Sequence, residues 1–304
     1  MTSAPAAPPA AAPTPAQSEQ FARTNNRLTV GDYLPRAVHD GTPEAGKCEW
    51  SSHVAISLSA QEAGALAWVL IDTIMQARFG PATPLYDAWR QHTLAGTQIP
   101  APANVTIGSF VEPVFGLPGA TAKSETHLLG HVGEWLWHLL TKDNPAVRVQ
   151  HDPKGDVTDA GGDGYTIYES TDGTLRFRLW ESKKNTAKGS LSASLNKAYK
   201  QLAVSGQRYV AKIVGSFAHT ATGTPDELIS FIAEIPGAWV QGDELVGAGV
   251  TLATHQTLPA APFTKMASKL PLLDKPGQLR GLATSINGYE ELAKTVRRYA
   301  WTAL

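Results

Sequence analysis

Three residues near the middle of the chain, Asp163, Glu181 and Lys183, are of the types that hydrolyse phosphate esters around a metal ion, provided the fold brings them together. Two carboxylates a few ångströms apart repel each other unless a cation lies between them, and hard oxygen donors favour Mg2+ or Mn2+. A lysine beside such a pair can orient or help deprotonate an attacking water and offset charge developing on a phosphate. The plainer alternative is an ion pair on a surface hairpin, since an acid followed two residues later by a lysine is a common pattern.

Whether the three meet depends on the hairpin that carries them. Residues 161–170 and 174–183 are β-prone runs joined by Asp172-Gly173, a turn signal. With a three-residue loop, Gly173 supplies the left-handed position of a bulge and Ser170 pairs with Thr174. Ile167 then faces Phe177, Tyr165 faces Leu179 and Asp163 faces Glu181, with the apolar residues of both strands on one face. A two-residue loop would split that face and put Asp163 opposite Ser182. Strand alternation sends Lys183 to the same side as Glu181. Glycines at 161, 162 and 164 bracket Asp163 and are expected to let a ligand approach the backbone.

Upstream, Ser124 to Thr141 fits a helix whose buried arc is Leu128, Val132, Trp135, Leu136 and Leu139. His127, His131, Glu134 and His138 fall within about 60° of one another beside that arc. The histidines are expected to form its polar flank. A zinc hydrolase is the rival chemistry, but H-E-x-x-H is absent and no spacing supplies a third ligand. Glu134, the only acid on the inner part of the helix, could reach the metal from above.

Downstream, Ser190 to Leu202 reads as a helix with Leu191, Leu195, Ala198 and Leu202 on one side, and Arg208 to Val214 as a strand. Asp226 to Glu234 and Tyr289 to Trp301 look helical, and Leu245 to Thr254 looks strand-like. The order helix, strand, strand, helix, strand implies an α/β fold, a central mixed sheet flanked by helices on both faces. Before it, Ser59 and Glu62 form a capping box for a helix running to Phe79 and ended by Gly80-Pro81. Residues 80–123 are rich in Pro, Gly and Thr, with a short helix expected around Tyr86 to His92 and a strand-like run from Ile107 to Phe115. The first seventeen residues hold seven Ala and five Pro with no Lys or Arg, unlike a secretory signal, so residues 1–20 are expected to be a disordered tail and 21–120 an N-terminal elaboration.

A chain of 304 residues, 42% hydrophobic and 17% charged, suffices for one large domain or two small ones. Its net charge of -1 favours neither nucleic acid nor membrane, so any such preference is local. Locally the charge is uneven: residues 174–212 contain nine Lys or Arg and one acid, net +8, whereas 143–173 hold seven acids and two bases, net −5. A carboxylate metal site beside a basic segment suits hydrolysis of a polyanion, with Lys184, Lys188, Lys197 and Lys200 expected on its phosphates. One cysteine, Cys48, allows no internal disulfide and no cysteine-based zinc cage, which fits the reducing cytoplasm. No window is apolar enough for a transmembrane span.

Glu134 within Gly133-Glu134-x-Leu136, Asp163 within a glycine-rich strand start, and Trp180-Glu181-Ser182-Lys183-Lys184 ending the next strand together resemble the PD-(D/E)xK nuclease superfamily, with its restriction-endonuclease-like fold. Within that superfamily these motifs are most similar to the HamA family, the nuclease subunits of Hachiman antiphage defence systems. The resemblance covers about residues 124–214 and implies a nuclease domain over 121–304. It implies that Asp163 and Glu181 are metal ligands, Lys183 the catalytic lysine and Glu134 a further ligand or metal-positioning acid. It further implies that the substrate is DNA, the cofactor Mg2+ and the partner a helicase subunit. Gly162 stands where the Pro of P-D would be, and the Q-x-x-x-Y signature of some branches is missing, since Leu195 stands four residues before Tyr199. A catalytically silent nucleic-acid-binding or sensor module of the same fold is the other reading; the intact Asp163, Glu181 and Lys183 speak for the enzyme.

Overall fold

A computed structural model describes residues 12–38, 44–119, 124–142, 144–153, 162–186, 190–217 and 225–304. Its centre is a seven-stranded mixed sheet. In chain order the strands are β1 (Arg36–Val38), β2 (Cys48–Ala55), β3 (Val147–Gln150), β4 (Gly164–Glu169), β5 (Leu175–Asn185), β6 (Val246–Thr254) and β7 (Leu279–Ile286). In space they run β1-β2-β7-β6-β5-β4-β3. The four inner strands β2, β7, β6 and β5 are parallel, and antiparallel pairings add β1 at one edge and β4 and β3 at the other. Parallel strands require crossover connections that cover both faces, which explains why all nine residues of β6 are buried.

One face carries α1 (Pro15–Thr24), α2 (Ala60–Phe79), α3 (Thr83–Ala95), α4 (Ala103–Phe115), α5 (Glu125–Lys142) and α9 (Tyr289–Trp301), which share a single hydrophobic cluster. The other face carries α6 (Leu191–Phe217), α7 (Asp226–Gln241) and the short α8 (Met266–Lys269). The α2 cap forms as expected: Glu62 N–H donates to Ser59 Oγ at 3.2 Å, and Ser59 N–H to Glu62 Oε2 at 2.9 Å. Residues 48–55 join the same sheet, with Cys48 opposite Leu279 and Ala55 opposite Ile286. No helix among the described residues is long and apolar enough to cross a membrane.

Three expectations need correction. Residues 15–24, partly assigned to the tail, form α1, because Thr14 and Gln17 make a capping box with Pro15 in the first turn. Ser18 Oγ and Tyr299 OH, 2.8 Å apart, fasten that helix to α9; residues 1–11 lie outside the described residues. The run from Ile107 to Phe115 belongs to helix α4 rather than a strand, since Ile107, Val111, Val114 and Phe115 recur at helical spacing and all are buried. Arg208 to Val214 is likewise helical, the continuation of α6. Ser205-Gly206 resembles a break, but glycine is needed there for packing: a Cβ on Gly206 would lie 2.5 Å from the Trp239 ring of α7.

Candidate functional site

The hairpin β4–β5 has the expected register. Gly164 is opposite Trp180, Tyr165 opposite Leu179 and Ile167 opposite Phe177. Gly173 takes φ of 83°, and Ser170 N–H donates to Thr174 O at 2.9 Å. Asp172 accepts from Ser170 Oγ at 2.6 Å and Thr174 N–H at 3.0 Å, so its carboxyl sits well below the usual range. Tyr165, Ile167, Phe177 and Leu179 all enter the core under α6 and α7. That face therefore carries Glu181 and Lys183 onward toward the strand end.

Asp163 stands just before β4, held by one backbone and one side-chain hydrogen bond to the β5 backbone. Its N–H donates to Trp180 O at 3.0 Å, and its Oδ2 accepts from Ser182 N–H at 2.5 Å. Glu181 is wholly buried; its Oε1 accepts from Lys183 Nζ, and its carboxyl also hydrogen-bonds the Asp163 side chain. Burial first, and then the Asp163 charge, hold the Glu181 carboxyl well above the carboxylate range; Lys183 pulls the other way. Burial lowers Lys183, but Glu181 and Asp163 outweigh it, so the ammonium stays charged. Glu134 on α5 adds its charge to that stabilisation and also acts on Tyr289, whose hydroxyl donates to Leu129 O. Asp163, Glu181 and Lys183 thus come together, with Glu134 within electrostatic reach.

Two residues of the site had no place in the sequence reading. Gln201 on α6 accepts from Lys183 Nζ at 3.3 Å through Oε1, and its Nε2 donates to Tyr209 OH at 3.4 Å. The only signal for Gln201 is a polar side chain at the edge of the Ala198–Leu202 stripe. The glycines beside Asp163 are required by packing. A Cβ on Gly162 would lie 2.8 Å from Leu179 Cδ1, and one on Gly164 2.8 Å from Trp137 Cζ2; Gly161 lies outside the described residues.

The histidines also depart from expectation. His127 is exposed, but His131 and His138 are buried rather than flanking the core. His131 lies between Phe115 and Trp135, with ring centroids 6.1 and 6.3 Å away, and burial pushes it down to about 3. His138 Nε2 is 3.1 Å from Asp152 Oδ1. Among the described residues, no three His, Cys, Asp or Glu side chains stand close enough to cage a metal on their own. Mg2+ asks less, being held by one or two carboxylates with water and substrate oxygens completing its shell. Two acids held this close fit that role, and a divalent cation between them would relieve the Asp163 repulsion that, after burial, raises Glu181.

The basic residues separate into two kinds. Lys197 and Lys200 are exposed on α6. Lys184 is not where it was expected, because β5 runs on to Asn185. Its ammonium donates to Thr126 O at the start of α5, and burial lowers it to about 8. Lys188 lies outside the described residues. Comparison with protein-family models finds no match for the chain, and comparison with curated proteins finds none either.

Proposed function

We propose that this protein is a metal-dependent nuclease that hydrolyses phosphodiester bonds of DNA, with a restriction-endonuclease-like core and a role in antiphage defence beside a helicase subunit. The observation that carries the reading is Glu181. A fully buried carboxyl set against a second acid, raised by burial and by that neighbour's charge, is costly to the fold, and a cation held by both acids would offset that cost. The mixed sheet with helices on both faces agrees with the fold implied by the motif resemblance. The defence role, the helicase partner and a cytoplasmic setting rest on that resemblance and on the cysteine usage.

Asp163 and Glu181 would hold Mg2+, or Mn2+ in its place, and Glu134 would steady it from α5. When bound, the ion supplies Lewis-acid polarisation of a phosphoryl oxygen and acidifies a bound water. The chain's own residues do the rest. Lys183, kept charged by the acids around it and steered by Gln201, orients the attacking water and neutralises charge growing on the phosphate. Ser182 N–H fixes Asp163, so the ligand oxygen does not have to be immobilised at each turnover. Lys197 and Lys200 offer exposed charge to the flanking phosphates.

The test is incubation of wild type and Lys183→Ala with plasmid, linear and single-stranded DNA in Mg2+, Mn2+ or EDTA. Cleavage by wild type in metal, abolished by EDTA and by the substitution with an unchanged melting curve, is the expected result. Full activity in Lys183→Ala would refute the mechanism. DNA binding without cleavage under every condition would assign the protein to the silent binding class instead.

A further inference from the structure

The face of the sheet opposite Glu181 carries a second polar concavity. It lies between the C-terminal end of α5 and strands β2, β7, β5 and β4, with a volume of about 460 Å3, within the range of small-molecule sites. Room for it comes partly from glycine. A Cβ on Gly249 would lie 2.1 Å from Trp180 Cε3, so the Trp180 ring lies across β6, with its indole N–H donating to Thr166 Oγ1 at 3.0 Å.

Arg178 is the centre of the cleft. It is only 8% exposed, and its guanidinium stands 4.8 Å from the Tyr168 ring centroid. Nη2 donates to Tyr168 OH at 2.9 Å and Gly277 O at 2.7 Å, but Nε–H is buried with no acceptor. A buried arginine is ordinarily matched by a carboxylate, whereas both of these acceptors are neutral. Glu49, whose charge acts on Arg178, pairs through Oε2 with Arg280, and its Oε1 is buried with no donor. Arg36 and Arg176 also line the cleft; Arg176 turns to Glu244, 3.7 Å from its Oε2, and Asp172 is engaged in its turn, which leaves the guanidinium groups of Arg36, Arg178 and Arg280 with the Glu49 carboxylate. Burial first, and the Arg280 charge with it, lower Arg178 against the opposite pull of Tyr168 and Glu49.

We propose that this cleft is a binding site, separate from the carboxylate cluster, for a small phosphate monoester that also carries a hydroxyl or amino donor. The phosphoryl oxygens take the free Arg178 Nε–H together with Arg36 and Arg280, since guanidinium groups match phosphate geometry. The donor of the same molecule meets Glu49 Oε1. Sugar phosphates and mononucleotides share this chemistry, and both the orphaned donor and the orphaned acceptor are satisfied by one ligand. The inference does not depend on nuclease activity.

Calorimetric titration of the full chain with inorganic phosphate, ribose 5-phosphate, AMP and adenosine tests it. Saturable binding of the two esters, tighter than inorganic phosphate, with none for adenosine, is expected. AMP binding tighter than ribose 5-phosphate assigns a nucleotide, and equal affinities assign a sugar phosphate. Arg36→Gln and Arg280→Gln should each weaken the ester by roughly tenfold, the loss of one charge-assisted hydrogen bond. Lys183→Ala should leave its affinity unchanged, which separates this cleft from the carboxylate site. No saturable binding of either ester, or affinities unchanged in both arginine variants with intact melting curves, would overturn the proposal.

Discussion

Acidification should weaken this fold through His131. The ring is 4% exposed, packed edge-on against Phe115 and Trp135, and its Nε2 has no partner. Burial, with the nearby Arg78 charge, lowers it to about 3, against about 6.5 in an unfolded chain. A base depressed in the folded state contributes fully only above its unfolded value and loses that contribution as pH falls toward the folded one. The window is thus about pH 6.5 down to 3. At pH 5 the loss is ~2 kcal/mol, one and a half pH units at about 1.4 kcal/mol each. Urea unfolding followed by tryptophan fluorescence at pH 7.5 and pH 5 reads this directly. His131→Leu removes the titrating group and the orphaned nitrogen at similar volume, so it should lie within about 1.5 kcal/mol of wild type at pH 7.5. Over the same pH step it should lose ~2 kcal/mol less than wild type. Other titrating groups act in both proteins and cancel, so parallel pH curves for the two would refute the reasoning.

The sign reverses at Glu181, an acid raised by burial: its contribution is present below the ordinary carboxylate range and is lost as pH rises through the folded value. Glu181→Gln should therefore resist alkaline destabilisation better than wild type in EDTA, by about 1–3 kcal/mol in urea melts at pH 8, while losing all cleavage and all stabilisation by Mg2+. Lys197→Ala and Lys200→Ala should each lower the slope of log K for DNA against log salt by roughly 0.7 to 0.9, whereas Lys184→Ala should change it less because its ammonium is committed to Thr126 O. Gly206→Ala places a methyl 2.5 Å from the Trp239 ring and should cost about 1–3 kcal/mol in thermal or urea melts, with both helices kept by circular dichroism.

The hairpin was legible because two independent signals agreed. Alternation placed Tyr165, Ile167, Phe177 and Leu179 on one face, and Asp172-Gly173 allowed the loop length that this alternation required. Most of the helices with clear caps or stripes were legible for the same reason, α9 to the residue. What escaped were the strands β1, β2, β3 and β7, and among the inner ones β2 and β7. Cys48–Ala55 and Leu279–Ile286 mix Ser, Thr, Gly, His and Arg with few large apolar residues, yet most of their residues are buried because helices cover both faces of the inner sheet. Periodicity cannot announce a strand whose burial is imposed by neighbours far away in sequence. In α4 and the second half of α6, β-branched residues suggested strand while their spacing was helical. Gln201 was invisible for another reason: a lone polar residue on a helix flank acquires meaning only when Lys183 lies opposite it.

The parallel pairing of β2 with β7 sets an order of events during synthesis. Cys48 waits for Leu279, and Ser18 waits for Tyr299, before either finds its partner. Contacts so distant along the chain form slowly and cannot begin until β7 and α9 leave the ribosome. Tyr289, beside Glu134, emerges roughly a hundred residues after Glu181, a delay of about 5 to 20 seconds at ordinary elongation rates. The hairpin and α6 can assemble early, but the α5 side of the carboxylate cluster is closed by α9. A nascent chain therefore carries its acids and lysine before α9 packs against α5, and the arrangement around Glu134 is complete only once α9 has docked.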